Sequence, residues 1–137
     1  MEANKSDFRL EGYLIRKSEI RIDTDFDKEE TLNINITPSG IKEKDKFTLT
    51  LDLKIADRND LFNINITAEA YFYFREDISF DRMGHFFTIN APAIIFPYIR
   101  GYISMLTSLS GCGTVMLPTL NLTDLGEELA SNIKEKQ

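Results

Sequence analysis

The sequence predicts an α+β fold in which a four-stranded antiparallel sheet is followed by two helices. Up to about residue 75, apolar and polar residues alternate, which is typical of strands with one buried and one solvated face. Beyond that point, apolar residues recur at three- and four-residue spacing, which is typical of helices. The length of 137 residues fits one domain, which we expect to span 1–137, with strands over about 7–75.

The first predicted strand is the least regular, because its apolar residues change parity. They fall at even positions near both ends and at odd positions in the middle: Phe8, Leu10, Leu14, Ile20 and Ile22 against Tyr13 and Ile15. A β-bulge or twist near Arg16 to Ser18 would account for this change of face, and so would a second apolar contact on the back of the strand.

The next three strands alternate cleanly. The second places Leu32, Ile34 and Ile36 on one face and is expected to end at the Pro-Ser-Gly segment 38–40. The third alternates over 47–55 and the fourth over 62–74, and the short, turn-rich connection between them predicts a hairpin. Because no helical segment separates the four strands, we expect them to be antiparallel.

The first helix is predicted over about 91–110, with Asn90 as its N-cap and Pro92 in its first turn. Pro97 is expected to kink this helix or to mark its true start. Apolar residues fall on more than one stripe of the helix, so one face of a sheet cannot cover them all. A second helix or a second subunit is expected to cover the rest.

The second helix is predicted over about 124–135. Asp124 and Glu127 resemble a capping box at its start, and Leu125, Leu129 and Ile133 form one apolar stripe.

Composition and motifs exclude several classes of function. The net charge of −6 argues against binding to nucleic acid, which relies on basic side chains. No apolar segment has the length of a signal peptide or of a membrane span, so we expect a cytoplasmic protein without membrane insertion. His85 and Cys112 are the only histidine and cysteine, and no nucleotide-binding motif is present. We therefore expect no metal, cofactor or catalysis, and a small enzyme or ligand-binding sheet built around His85 remains an alternative.

Two segments carry a resemblance to a known family. Phe-Pro-Tyr-Ile-Arg at 96–100 and Pro-Thr-Leu-Asn-Leu at 118–122 occur in this order, after four strands and before a short last helix. In motifs and layout the chain resembles the SecB protein-export chaperone family.

The resemblance implies a fold, an assembly and a function. It implies that both helices pack on one face of the sheet and that subunits assemble as a dimer of dimers, without cofactor or catalysis. Family members hold unfolded client polypeptides in the cytoplasm, and the export branch delivers them to the SecA motor of the Sec pathway. A second branch assists antitoxins of toxin–antitoxin systems, which leaves an antitoxin-dedicated chaperone as the alternative function.

A chaperone of this kind needs a groove of exposed apolar surface for its client. We predict that groove from the second strand, the connector between the helices and the last helix, with a phenylalanine pair at one end. The candidate residues are Leu32, Ile34, Ile36, Phe86, Phe87, Leu117, Leu120, Leu125 and Leu129. Ordinary core packing is the alternative for the strand residues.

Two further surfaces follow from the resemblance. The segment 19–23 is similar to the family's acidic first strand, which assigns SecA docking to Glu19 and Asp23. Subunit contacts are expected from the long helix, which implies a homotetramer. The contact residues are Tyr98, Tyr102, Met105 and Leu109.

Overall fold

The computed structural model describes residues 7–118 and 122–136. Along these residues the elements are β1 (Phe8–Ile22), β2 (Asn33–Glu43), β3 (Lys46–Ala56), β4 (Phe62–Phe74), α1 (Phe80–His85), a π-helical turn (Phe86–Asn90), α2 (Ala91–Leu109), α3 (Leu122–Ser131) and β5 (Ile133–Glu135). The sheet has the order β1-β4-β3-β2-β5. The predicted α+β class is confirmed, but the sheet is mixed and five-stranded, because β5 joins β2 in parallel.

One face of the sheet carries the hydrophobic core. The alternation in β3 and β4 is in register, so that Leu53 lies opposite Ile66 and Ile55 opposite Ile64, all of them buried. Ile95 of α2 packs into the same core. We call this side of the sheet the core face and the opposite side the outer face.

Two bulges reconcile the irregular pattern of β1 with a single core face. The register against β4 shifts between Leu10 and Gly12 and again between Ile15 and Lys17. The predicted bulge near Arg16 is therefore confirmed, and a second one lies at Glu11. Because each extra residue inverts the alternation, Phe8, Tyr13 and Ile20 all lie opposite core-face residues of β4.

Leu14 does not share the face of Phe8 and Leu10, contrary to the prediction. It lies opposite Glu69 on the outer face and is exposed, because the first bulge inverts its direction.

β2 continues through the segment 38–40, where the prediction ended it. The Gly40 amide donates to the Asn132 carbonyl (3.2 Å) and therefore points away from β3. Because the direction of the backbone groups alternates along a strand, those of the other even-numbered residues of β2 point away from β3 as well. Pro38 has this phase, and its missing N–H therefore costs no bond to β3. Gly40 is required here because a Cβ would lie 2.6 Å from the ring of Phe47.

The last helix is shorter than predicted and is followed by a strand. α3 ends at Ser131, and Ile133 lies in β5 instead of on the helical stripe. Asn132 makes the change of direction, since its amide donates to the Leu129 carbonyl (2.8 Å) and its side chain donates to the Pro38 carbonyl (3.1 Å). The free edge of β2 thus supplies hydrogen bonds that compete with another helical turn.

A π-helical turn precedes α2, which begins at Ala91 as predicted. Asn90 makes no side-chain cap, because its own backbone is already helical. The Ala91 amide donates to the Phe86 carbonyl, five residues back. Pro92 has no amide hydrogen, so it cannot make the bond to the Thr88 carbonyl that an α-helix would contain.

α3 lies as close to this π-helical turn as a glycine allows. A Cβ at Gly126 would lie 2.7 Å from the carbonyl oxygen of Thr88. The contact seats α3 with Leu129 fully buried in the core.

Gly126→Ala is therefore expected to destabilise the protein. The added methyl group must push α3 away from Thr88, at a cost of about 1–3 kcal/mol, which is typical of overpacking. Gly84→Ala is the matched control, since nothing lies within 4 Å of its added Cβ. In α1, away from the exposed side of α2, it should gain roughly 0.5–1 kcal/mol. Urea unfolding at one fixed protein concentration measures both, and equal stability of the two variants would contradict the packing described here.

Candidate functional site

The first half of β2 is an open sheet edge. β5 pairs only with residues 40–42, and among the described residues no strand lies beside 33–37. Ile34 and Ile36 share the phase of Gly40, so their amides and carbonyls point away from β3. Their side chains are half-buried at the margin of the core. Along this edge, backbone groups that no strand of the described residues pairs thus occur together with partly exposed apolar side chains.

Several residues predicted for the groove are buried within the chain. Leu129 is fully buried, Leu125 and Leu117 are nearly so, and α3 lies beside β2. All three side chains are buried and therefore offer little surface to a client. Leu32 is half-buried like Ile34 and Ile36, and Leu120 lies outside the described residues.

The phenylalanine pair lies at the other end of the sheet. Phe87 is buried and stacks on Phe47 with ring centres 4.0 Å apart, and half-buried Phe86 stacks on Phe8 at 5.1 Å. Phe47 is the second residue of β3, whereas Ile34 lies opposite Ile55, the last but one residue of β3. Along β2 the two ends are separated by eight residues, or roughly 26 Å at about 3.3 Å per residue. The predicted groove residues therefore form two groups.

The two predicted SecA-docking residues differ in their surroundings. Glu19 is exposed on the outer face, opposite Asn65, and forms an ion pair with Lys17 at 3.8 Å. Asp23 follows β1, and its carboxylate accepts a hydrogen bond from the Asp25 amide at 2.9 Å. The sheet positions on the outer face carry charges of both signs: Arg9, Lys17, Arg21, Lys46 and Lys54 beside Glu19, Glu43, Asp52 and Glu69.

Two tyrosines of α2 hold this helix against β1. The Tyr102 hydroxyl lies 2.6 Å from the Ser18 hydroxyl, and the rings of Tyr98 and Tyr13 are 5.1 Å apart. Both contacts lie on the core side of β1, because the two bulges turn Tyr13 and Ser18 toward that side. Tyr98 nevertheless remains 49% exposed.

The outward side of α2 is apolar. Met105 is 51% and Leu109 is 79% exposed, and Arg100 is the helix's sole charged residue. The buried Nε of Arg100 has no hydrogen-bond partner among the described residues. A helix face with these properties is typical of an interaction surface.

Asp7, Arg75 and Arg82 form a cluster of charged side chains at the start of β1. Hydrogen bonds from Arg82 and then Arg75 lower the pKa of Asp7, which ties the start of β1 to α1 and to the end of β4. Across residues 7–118 and 122–136, no three His, Cys, Asp or Glu side chains are placed to hold a metal ion. No helix of these residues is long and apolar enough to cross a membrane.

Comparison with known proteins identifies the family. The family model of SecB, described as preprotein translocase subunit SecB, matches residues 20–131. The chain belongs to the SecB family.

The individual relatives share little sequence identity with this chain. The fold is similar to that of the Mycobacterium tuberculosis SecB-like chaperone Rv1957, solved in complex with a ChAD peptide from the Rv1956 HigA1 antitoxin. That match has a TM-score of 0.69 and 13% identity, and covers 83% of this chain and 90% of the other. The chain is also 26% identical to the uncharacterized protein MJ0357 of Methanocaldococcus jannaschii, over 97% of this chain and 93% of that protein.

The apolar side of α2 predicts self-association. Light scattering at micromolar concentration should give four times the chain mass of 15.7 kDa. Met105→Glu combined with Leu109→Glu should dissociate the assembly, since carboxylates would be buried in the subunit contact. Asn59→Glu, in the exposed β3–β4 turn, is the control and should not change the mass. A monomeric wild-type protein would refute the prediction.

Proposed function

We propose that this protein is a cytoplasmic holdase that binds unfolded or non-native polypeptides, without catalysis. Membership of the SecB family supports a chaperone role. The open edge of β2 is the single observation that carries the proposed binding mode. It combines outward backbone groups, beside which the described part of the chain places no strand, with the apolar side chains of Ile34 and Ile36.

An extended client can add a strand to this edge. Backbone hydrogen bonds to Ile34 and Ile36 are independent of client sequence, which suits a chaperone that must accept many polypeptides. Apolar side chains of the client would lie over the half-buried isoleucines and Leu32. Recognition then requires an unfolded client, because only an exposed, extended segment has free backbone groups and apolar side chains together.

One such edge binds weakly. Each hydrogen bond contributes about 1 kcal/mol net, and the client loses conformational entropy on ordering. A tetramer would present four copies of the edge, and engagement of several copies by one client raises the overall affinity by avidity. The net charge of −6 favours the solubility of a protein with exposed apolar surfaces.

Two versions of this role differ in the fate of the client. In the export version the protein delivers clients to SecA, with Glu19 and Asp23 as docking residues. In the alternative version it serves one antitoxin, and the antitoxin peptide bound by the M. tuberculosis relative favours this version. The mixed charges of the outer face also weaken the case for docking through an acidic surface. Titration with SecA and with an antitoxin encoded beside this protein separates the two versions.

Ile34→Pro combined with Ile36→Pro should weaken client binding roughly thirtyfold, because two outward amide donors are removed. The β2–β3 pairing should survive, since Pro38 already occupies a position of the same phase in this strand. Client binding is measured by titration with a reduced, carboxymethylated, permanently unfolded polypeptide, followed by native mass spectrometry.

Ile34→Val combined with Ile36→Val is the matched control, because it keeps both amides and nearly all the apolar surface. It should bind the client like the wild type. If the proline variant remains folded and binds as tightly as the valine variant, client addition to this edge is refuted.

A further inference from the structure

We infer that the second half of the β2 edge, residues 38–42, is a docking site for an extended client segment, and that β5 occupies it as an internal substitute for the client. The inference rests on the proposed client-binding function. It adds a second site, a chain direction and a side-chain preference to the open edge described above.

β5 is held weakly. It has three residues and pairs in parallel, which is slightly less stable per residue than antiparallel pairing. Besides the ladder with residues 40–42, one backbone bond closes each end of β5: the Gly40 amide donates to the Asn132 carbonyl (3.2 Å), and the Lys136 amide donates to the Lys42 carbonyl (2.8 Å). The ion pair between Lys42 and Glu135 lies at the surface, where such pairs contribute little. A competing strand can therefore replace β5 at low cost.

The register of β5 shows what kind of segment the edge accepts. Ile133 lies opposite Gly40, and its Cγ1 would lie 3.3 Å from a Cβ at that position. The missing side chain of Gly40 thus makes room for an apolar side chain on the added strand. Lys134, the next residue, lies opposite Ile41 and is exposed. The site accepts an alternating apolar and polar segment that runs parallel to β2.

A cavity beside Ile133 remains open when β5 is in place. It has a volume of about 330 Å³, and Phe80, Met83 and Phe87 contribute to its wall. Phe80 is 87% exposed, so it offers an apolar surface that no described residue covers. A client side chain larger than isoleucine, such as an aromatic ring, would extend from the edge into this cavity.

Release of β5 would join the two halves of the edge. The Asn132 side chain now binds the Pro38 carbonyl and separates residues 33–37 from residues 40–42. When Asn132 and β5 leave, the edge runs uninterrupted from Ile34 to Lys42. It is then long enough for a client strand of about nine residues. Because β5 must first leave, the apparent affinity for such a client is reduced by the fraction of molecules in which the site is free.

Weakening β5 should therefore strengthen client binding. Lys136→Pro removes the amide that donates to the Lys42 carbonyl, and it should lower the Kd for the reduced, carboxymethylated, unfolded polypeptide about fivefold. Lys136→Ala is the matched control, because it removes the same charge and keeps the amide. Its Kd should equal that of the wild type. An unchanged thermal midpoint would show that the fold is intact in both.

Locking β5 in place should have the opposite effect. Ile41 and Lys134 are register partners on neighbouring strands, and both are exposed. Neighbouring strands lie close enough for a disulfide between such partners. Ile41→Cys with Lys134→Cys, in a Cys112→Ser background, should bind the client at least fivefold more weakly when oxidised. Reduction should restore the affinity, and the carboxymethylated client cannot exchange with the thiols.

The outcomes separate the inference from the proposed function. Tighter binding by Lys136→Pro and reversible weakening by the disulfide would support the displacement of β5. Equal affinity in the wild type, Lys136→Pro and the oxidised variant would overturn it while leaving the proposed function standing. If the wild type binds no unfolded polypeptide, the proposed function itself fails.

Discussion

The contact between Gly126 and the Thr88 carbonyl is the constraint on which the C-terminal half of the fold depends. Pro92 cannot donate to Thr88, and the helical run adopts a π-helical turn at this point. α3 approaches so closely that a single methyl group at residue 126 would collide with the carbonyl oxygen. A proline in one helix and a glycine in another thus set the position of α3 against the sheet.

The position of α3 decides which part of β2 stays open. Leu129 enters the core, and Asn132 reaches the edge of the sheet and binds Pro38 and Gly40. β5 then covers the second half of that edge, while Ile34 and Ile36 keep their outward backbone groups without a strand beside them among the described residues. The packing of α3 therefore determines which part of the β2 edge is covered, and the proposed client binding depends on the part that stays open.

Local periodicity predicted the parts of the fold that rest on local physics. β3 and β4 alternate without exception, and the change of parity in β1 is consistent with the bulge near Arg16. β5 could not be predicted, because Ile133 fits a helical stripe equally well and only the neighbouring edge of β2 selects a strand. The prediction that the segment 38–40 ends β2 is wrong. Pro38 is tolerated because its backbone faces the sheet edge, and Gly40 because the ring of Phe47 fills the space of a Cβ, and neither circumstance is visible in the sequence.

The site was harder to predict than the fold. The apolar residues of β2 lie along an accessible edge, whereas Phe87, Leu117, Leu125 and Leu129 have the same apolar character and are buried. The sequence shows which residues are apolar, but their exposure depends on which helices and strands pack over them in the fold. The feature that carries the proposed function, a row of outward backbone groups, leaves no mark on side-chain composition at all.

Hydrogen exchange at individual amides tests strand addition most directly. On binding an unfolded polypeptide, the amides of Ile34 and Ile36 should become protected, because a client carbonyl replaces water at each of them. The amide of Asn35 should change little, since residues of its phase already pair with β3. Protection that appears on α2 alone, with Ile34 and Ile36 exchanging as fast as in the free protein, would contradict the account.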